Sequence, residues 1–231
     1  MSNLFLAVFF DGVQIDKAFK FSYIFKSIVS RWYLYLALVL IVVAVIVFIC
    51  IKKPPKRNNL SKTQKIAYIS MLTALSVVVN VLQISTSFAQ LSFVATICFV
   101  AGVLLGPIEG FSVAFIGDLI AAIVAPMGIY SPIIGLATGL FGLVPGIVFA
   151  YFRGNIWVKT IISFIVTFVL SSLLLNTIGL SLIYTKVYVL TERLALLPFT
   201  LLFHTINCVL SVFIIKLLKR VLPKDKFKFD K

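Results

Sequence analysis

The chain has 231 residues, of which 61% are hydrophobic and only 12% are charged. Its mean hydropathy of +1.15 lies far above the range of soluble domains and predicts an all-α membrane protein with several spanning helices. The net charge of +14 is compatible with nucleic-acid binding. However, the lysines and arginines lie at the ends of apolar segments, as membrane orientation signals do. The charge therefore predicts anionic membrane lipid as a partner and no nucleic acid.

Residues 1–61 are predicted to form an N-terminal segment with one extra transmembrane helix. Residues 32–51 are almost entirely apolar and long enough to cross a hydrocarbon core of about 30 Å. Lysines and an arginine follow this run around a Pro-Pro pair. We therefore interpret the region after residue 51 as a basic linker.

Six further apolar runs follow the linker and predict a six-helix module over residues 62–222. The predicted spans are residues 65–84, 92–105, 111–125, 132–152, 158–180 and 194–218. Some of these runs are short, so tilted or incomplete crossing is expected. Residues 223–231 are predicted to form a basic cytoplasmic tail.

The distribution of basic residues predicts how the module lies in the membrane. With the linker in the cytoplasm, most of the 21 lysines and arginines are cytoplasmic, as the positive-inside rule requires. The sequence thus predicts a multi-pass protein of the cell membrane. Both ends of the six-helix module would be cytoplasmic, and the N-terminus of the extra helix would lie outside.

The first span of the module carries two different faces at helical spacing. The polar face, Thr73, Ser76, Asn80 and Gln83, is suited to the interior of the bundle. The other face has small residues, Ala67, Ser70 and Ala74. Small residues at such spacing allow another transmembrane helix to approach closely, so this face is a candidate docking surface.

The central stretch combines small residues with one buried charge. Small residues recur at helical spacing in two successive spans, Gly110, Ala114, Gly117, Ala121 and Ala125 in one and Gly135, Gly139, Gly142 and Gly146 in the next. They predict close helix packing. A carboxylate such as Asp118 at a helix centre costs about 2.5–3.5 kcal/mol, so it must face the bundle or a watery cavity. Asp118 is interpreted either as a structural hydrogen-bond anchor or as a residue with a direct role in transport.

The last span carries a long polar stripe on one helix face, formed by Arg193, Thr200, His204, Asn207 and Ser211. It begins at the outer surface with a cation and continues inward with hydrogen-bonding groups, which suits an anionic, heteroatom-rich solute. Further candidates are Asn176 and Thr177 in the preceding span and Tyr130 and Tyr184 in outer loops. Together they predict a pocket that opens outward. The alternative is that these polar groups only satisfy neighbouring helices.

Several kinds of chemistry are excluded by missing motifs. The sequence has no G-x-x-x-x-G-K-[ST] phosphate loop, no H-E-x-x-H and no Cys or His cluster, so nucleotide hydrolysis, a metal site and a bound cofactor are not expected. The run from Phe115 to Asp118 is similar to the G-x-G-D of intramembrane aspartyl proteases. It lacks the first glycine, and no second intramembrane aspartate is present to share a proton. The chain is therefore predicted not to be an enzyme.

A set of motifs spread over the module points to a known family. They are Gly106-Pro107-Ile108-Glu109-Gly110, Gly117-Asp118, Gly128-Ile129-Tyr130-Ser131-Pro132 and Gly139-Leu140-Phe141-Gly142-Leu143. This pattern, over about residues 62–222, resembles the substrate-binding S components of energy-coupling factor (ECF) vitamin transporters. Within that group, Leu175-Asn176-Thr177 and an arginine at Arg193 ahead of Pro198 are similar to the folate branch.

The resemblance implies a high-affinity subunit that captures a folate-like vitamin from outside. It also implies docking on a transmembrane T component that is driven by two cytoplasmic ATPase subunits. Arg193 would attract the glutamate carboxylates. The ring system would be held by Tyr130, Asn176, Thr177 and His204, with Tyr184 beside them.

The resemblance also assigns the docking surface and Asp118. The family's A-x-x-x-A docking motif would fall on Ser70 and Ala74, with serine in place of the first alanine. Asp118 would then be an orienting anchor. Two other functions remain open: an S component for another vitamin, and a self-sufficient proton-coupled carrier that uses Asp118 and Glu109.

Overall fold

The computed structural model describes residues 58–85, 90–125, 130–184 and 188–223. The helices are α1 (Lys62–Val81), α2 (Val94–Leu105), α3 (Pro107–Val124), α4 (Pro132–Tyr151), α5 (Ile156–Thr167), α6 (Asn176–Tyr184) and α7 (Tyr188–Val221). A π-helical segment, Phe168–Leu175, joins α5 directly to α6. Two short strands, β1 (Ile84–Ser85) and β2 (Gln90–Leu91), pair in antiparallel fashion between α1 and α2.

The helices correspond to the six predicted spans, with α5, the π-helical segment and α6 forming the fifth. Within the described residues, five helices are long and apolar enough to cross a membrane. The other, α2, has 12 residues and is only about 18 Å long, in line with the expected short spans. The extra transmembrane helix predicted at residues 32–51 lies outside the described residues.

The observed span boundaries differ from the approximate predicted ones by up to six residues. The first span ends at Val81 rather than residue 84, because Ile84 enters β1. The third span begins at Pro107, a favourable first helical residue, and the last begins at Tyr188. We call the end of the bundle with β1, β2 and the α3–α4 connection the outer end. The opposite end, with the start of α1 and the end of α7, is the basic end.

Short-range hydrogen bonds fix the basic end. Ser61 caps α1 in a capping box: its Oγ accepts from the Gln64 backbone N at 3.2 Å, and Gln64 Oε1 accepts from the Ser61 backbone N at 3.3 Å. The Asn58 side-chain amide donates to the carbonyls of Leu104 and Leu105, both at 3.0 Å. Asn58 thereby satisfies two carbonyls that have no partner within the helix at the end of α2, and it fastens the linker to the bundle.

Helices α2, α3 and α4 cross at four glycines, Gly102, Gly110, Gly142 and Gly146, which we call the glycine junction. A Cβ added at Gly110 would lie 2.5 Å from Gly102 Cα and 2.7 Å from Gly142 O. The backbones therefore touch where any larger residue would collide. The close packing predicted from the small-residue stripes is confirmed for these two spans.

Helix α1 lies at the periphery of the bundle, against α2 and α3. Ser76 and Asn80 are buried on its inner face, as the polar pattern predicted. The small face with Ser70 and Ala74 is exposed. Much of one side of α1 is thus free of contacts with the described part of the chain.

Candidate ligand-binding site

Asp118 is held by two neighbouring helices. Asn80 Nδ2 of α1 donates a hydrogen bond to Asp118 Oδ1 at 3.0 Å. The Thr138 hydroxyl of α4 donates to the Ile134 carbonyl at 3.2 Å and also interacts with the Asp118 carboxylate. These bonds connect α1, α3 and α4 through one carboxylate, which is the arrangement expected of a structural anchor.

Tyr130 lies beside this anchor, directly before α4. A Cβ added at Gly135 would lie 3.2 Å from Tyr130 Cζ and 3.3 Å from Phe115 Cε2, so the glycine makes room for the phenol. Burial, and secondly the negative charge of Asp118, raise the pKa of Tyr130. The hydroxyl therefore stays protonated and can donate a hydrogen bond at the outer end.

The buried face of α5 carries a line of hydroxyl groups that reaches the π-helical segment. Thr160, Ser163 and Thr167 each donate to a carbonyl one turn earlier, at 2.8, 2.7 and 2.8 Å. Ser171 continues this line at the next turn and is fully buried. Its Oγ has no hydrogen-bond partner among the described residues. The line is therefore satisfied along α5 and becomes unsatisfied where the helix changes to π geometry, a feature often found at functional sites.

Three more buried side-chain atoms at or below the outer end lack a partner within the described part of the chain: Ser131 Oγ, Asn176 Oδ1 and His204 Nε2. We call Ser131, Ser171, Asn176 and His204 the polar seam. They belong to the start of α4, the π-helical segment, α6 and α7. A Cβ added at Gly179 would lie 2.8 Å from Ile134 Cγ1, which shows how closely α6 and α4 approach beside the seam.

Three phenylalanine rings surround the imidazole of His204: one from α4, one from α5 and one from the π-helical segment. Its centroid lies 5.0 Å from that of Phe168, 5.4 Å from that of Phe141 and 6.1 Å from that of Phe164. Phe168 is the first residue of the π-helical segment. His204 thus brings α7 against α4 and the π-helical segment, with three phenyl rings around its imidazole.

The rest of the polar stripe on α7 is divided between different partners. Asn207 is structural: its Oδ1 accepts from Thr96 Oγ1 at 2.6 Å, and its Nδ2 donates to the Ser92 carbonyl at 3.2 Å. Thr200 donates to its own helix, at the Leu196 carbonyl. Ser211 is fully buried, and its Oγ finds no partner in the described ranges. From His204 to Ser211 the stripe therefore faces the bundle, and the side chains of His204 and Ser211 have hydrogen bonds left to make.

The sequence-predicted site residues are only partly brought together. Asn176 and His204 lie in the polar seam, Tyr130 lies beside Gly135, and Thr177 is partly exposed on α6. Tyr184 is the last residue of α6 and Arg193 lies near the start of α7, but their side chains are outside the described set.

Sequence reasoning missed Ser131 and Ser171 as site residues, and Thr138 as a partner of Asp118. One signal was available for Ser171, which follows Thr160, Ser163 and Thr167 at spacings of three or four residues. Ser131 lies in the Gly128–Pro132 family motif, but that motif did not assign it a role, and nothing marked Thr138, because the environment of both residues depends on how α3, α4 and α6 pack.

Comparison with known protein families assigns the chain to one of them. A family model described as "ECF-type riboflavin transporter, S component" matches residues 59–223. The chain belongs to this family. The family resemblance predicted from the sequence is thereby confirmed, and the chain is a membrane transporter component rather than an enzyme.

A solved structure supports the same fold. The chain is similar to the structure described as "Crystal structure of FolT bound with folic acid", with a TM-score of 0.57 and 24% sequence identity. The match covers 65% of this chain and 93% of the other. At this identity the likeness shows the fold, and the ligand of FolT is a statement about FolT. The comparison with curated proteins found no match.

Proposed function

We propose that this chain is the vitamin-binding subunit of an ATP-driven ECF uptake transporter and that its ligand is a folate-like compound. The observation that carries the proposal is the polar seam. A buried polar atom without a partner costs about 1–3 kcal/mol. Four such atoms, on elements that contact one another within the described residues, are most simply retained because a ligand completes their hydrogen bonds.

The chemistry of the seam suits a fused heteroaromatic ring. Asn176 Oδ1 can accept from a ring N–H or amino group, while the hydroxyls of Ser131 and Ser171 can donate to ring nitrogens or carbonyls. His204 supplies a further nitrogen, framed by Phe168 and Phe141. Apolar walls with a few convergent polar atoms are the usual make-up of a small-molecule site.

Folate and riboflavin both fit this description, and the positive charge of Arg193 at the outer end would distinguish between them. The pterin of folate and the isoalloxazine of riboflavin both contain a pteridine ring, but only folate carries glutamate carboxylates. Arg193 lies near the outer end of α7 and would pair with those carboxylates. The neighbouring structure with folic acid also favours folate, whereas the family description favours riboflavin as the second candidate.

Binding by the Arg193→Gln variant separates these two ligands. Losing a charged hydrogen bond of about 1.5–3 kcal/mol lowers affinity by roughly 10- to 100-fold. We expect this loss for folic acid and 5-formyltetrahydrofolate in calorimetric titrations, with no change for riboflavin. Lys186→Gln, which removes another cation predicted to lie outside, is the matched control and should leave both affinities unchanged. Equal losses for folic acid and riboflavin would contradict the role of Arg193.

The exposed face of α1 is the surface that we propose for binding the partner proteins. We place the docking site for the T component, and through it for the two ATPase subunits, on Ser70 and Ala74. The Ser70 hydroxyl donates to the Ile66 carbonyl of its own helix at 3.0 Å, so it presents little unsatisfied polarity to a neighbour. Ile66 and Met71, 64% and 69% exposed, flank the small residues and provide apolar contact area.

A bulky residue at Ala74 tests the docking site. Ala74→Leu should abolish co-purification with the T component and ATPase subunits while leaving vitamin affinity unchanged, because it closes only the outward face of α1. Thr205→Leu, at an exposed position on α7, is the control and should assemble normally. Normal assembly of the Ala74→Leu chain would show that docking uses another surface.

The rival function, a self-sufficient proton-coupled carrier, required Asp118 and Glu109. Glu109 forms an ion pair with Lys65, and Asp118 is hydrogen-bonded to Asn80. Both carboxylates therefore have structural partners, which weighs against this function. Vitamin uptake into vesicles by the isolated chain, driven by a pH gradient without ATPase subunits, would support the carrier instead.

We also propose that residues 62–222 form the binding module and that residues 1–61 form an accessory segment. The module would have both ends in the cytoplasm, followed by the basic tail at 223–231. A chain that begins at residue 58 keeps the Asn58 contacts to Leu104 and Leu105. It should bind the vitamin with unchanged affinity. A loss of binding would show that the first segment takes part in the site.

A further inference from the structure

At the basic end, α5 and α7 are joined by a contact that the transport function does not use. Lys216 Nζ of α7 lies 5.0 Å from the centroid of the Trp157 ring of α5. This distance is within the range of a cation–π interaction. The contact holds a cation beside an aromatic side chain of the kind that prefers the headgroup level of a membrane.

Two exposed apolar stripes lead away from this contact toward the bilayer centre. Ile161 and Ile165 follow Trp157 at four-residue steps on α5, and Phe213 and Val209 precede Lys216 at steps of three and four on α7. Their exposed fractions are 45% and 59%, and 61% and 41%. The two helices pack against each other, and both stripes begin at the contact between Trp157 and Lys216. We call this surface the α5–α7 face.

The charge at the head of the α5–α7 face is positive. Lys216 and Arg220 are one turn apart and both exposed, and Arg153 precedes Trp157 by four residues. Within the described residues, neither Lys216 nor Arg220 forms a salt bridge, and Glu109 is already paired with Lys65. An anion at this position would therefore meet basic side chains that are not neutralised by a described carboxylate.

We propose that the α5–α7 face binds an anionic phospholipid, with its phosphate at Lys216 and Arg220 and its acyl chain along Ile161, Ile165 and Phe213. The stripe from Trp157 to Ile165 is about 12 Å long, which matches most of one leaflet of a hydrocarbon core. A zwitterionic lipid would gain the apolar contact but not the charge pairing. Each basic residue near an anionic headgroup is worth roughly a fivefold preference.

Trp157 provides a direct reporter, because the chain has only one other tryptophan, Trp32. The full chain carrying Trp32→Phe is placed in nanodiscs of phosphatidylcholine. A minority of the lipid is brominated near the carbonyl end of its acyl chains, as phosphatidylglycerol or as phosphatidylcholine. We expect the brominated phosphatidylglycerol to quench Trp157 with a relative association constant about 25-fold higher, which is about fivefold for each of Lys216 and Arg220. Equal quenching by both lipids would overturn the proposal.

Variants identify the cation that gives the preference. Lys216→Gln should lower the ratio roughly fivefold, and Lys216→Arg should keep it. Lys62→Gln, which removes one exposed charge at the basic end from α1, is the control and should keep the parent ratio. An equal loss in the Lys62 variant would reduce the effect to general surface charge and contradict a site. Soluble glycerophosphate should not compete, whereas competition would assign the site to free phosphate.

Discussion

The glycine junction and the polar seam lie in the same bundle but differ in how their residues pack and form hydrogen bonds. At the junction, the backbones of α2, α3 and α4 touch, and a Cβ at Gly110 would lie 2.5 Å from Gly102 Cα. In the seam, buried side-chain atoms find no partner within the described residues. The junction residues make their close contacts within the described bundle, whereas the seam atoms have hydrogen bonds left to make. The difference separates residues that hold the helices together from the residues that we propose for binding.

The largest expected effect comes from breaking the junction. A Cβ at Gly142 would lie 2.9 Å from Phe111 N and closer still to the Gly110 backbone. Gly142→Leu must therefore push α4 away from α3, at a cost of about 4 kcal/mol or more in unfolding free energy. Denaturant unfolding in detergent measures it, with Ala67→Leu on the exposed face of α1 as control. A Gly142→Leu chain as stable as the control would show that the three helices can separate freely.

A smaller loss of stability is expected from changing Asn207, a residue of α7 whose side chain already has hydrogen-bond partners. Asn207→Leu removes the bonds to Thr96 Oγ1 and the Ser92 carbonyl. It should lower the unfolding free energy by about 1–3 kcal/mol. Thr205→Leu, an exposed neighbour on the same helix, should change little. If the two variants unfold alike, Asn207 does not hold α7 to α2.

Asn176 should behave in the opposite way, since its Oδ1 has no partner among the described residues. Asn176→Leu is expected to leave thermal stability unchanged or slightly raised and to weaken vitamin binding by roughly tenfold. Thermal unfolding and calorimetric titration of the same sample measure both quantities. Asn80→Leu is the matched comparison, because Asn80 is bonded to Asp118 and its loss should destabilise the chain. A large stability loss in Asn176→Leu would place Asn176 with the scaffold.

The smallest effect is expected at Ser171, a hydroxyl inside the π-helical segment. Ser171→Ala should weaken vitamin binding only a few-fold, the size of one neutral hydrogen bond, without loss of stability. Ser163→Ala, on the same face of α5, removes a bond to the Lys159 carbonyl instead and should not affect binding. Equal binding by both variants and the parent chain would remove Ser171 from the site.

The sequence predicted the order and approximate length of the helices because apolar runs and basic flanks are local signals. It also predicted close helix packing for the spans that carry Gly110 and Gly142, since small residues at helical spacing allow helix backbones to approach closely in a membrane. It did not predict the π-helical segment. Residues 158–180 form one apolar run, and the switch at Phe168 leaves no mark in hydropathy.

The candidate site was less predictable because it depends on which polar groups already have partners. Asn207 and His204 look equivalent on the polar stripe of α7. Only packing shows that Thr96 of α2 satisfies Asn207, whereas His204 is surrounded by Phe141, Phe164 and Phe168. The role of Asp118 could not be predicted for the same reason, because Asn80 and Thr138, which interact with it, come from two other helices.

Calorimetric titration of the purified full chain with folic acid, 5-formyltetrahydrofolate and riboflavin is the decisive test of the proposed ligand. We predict that folic acid or its reduced form binds with a Kd at or below about 1 µM, equivalent to about 8 kcal/mol, and more tightly than riboflavin. Asn176→Leu should weaken that binding. Tighter binding of riboflavin would contradict the assignment to folate. No binding of any of the three at micromolar concentration would contradict the vitamin-binding site itself.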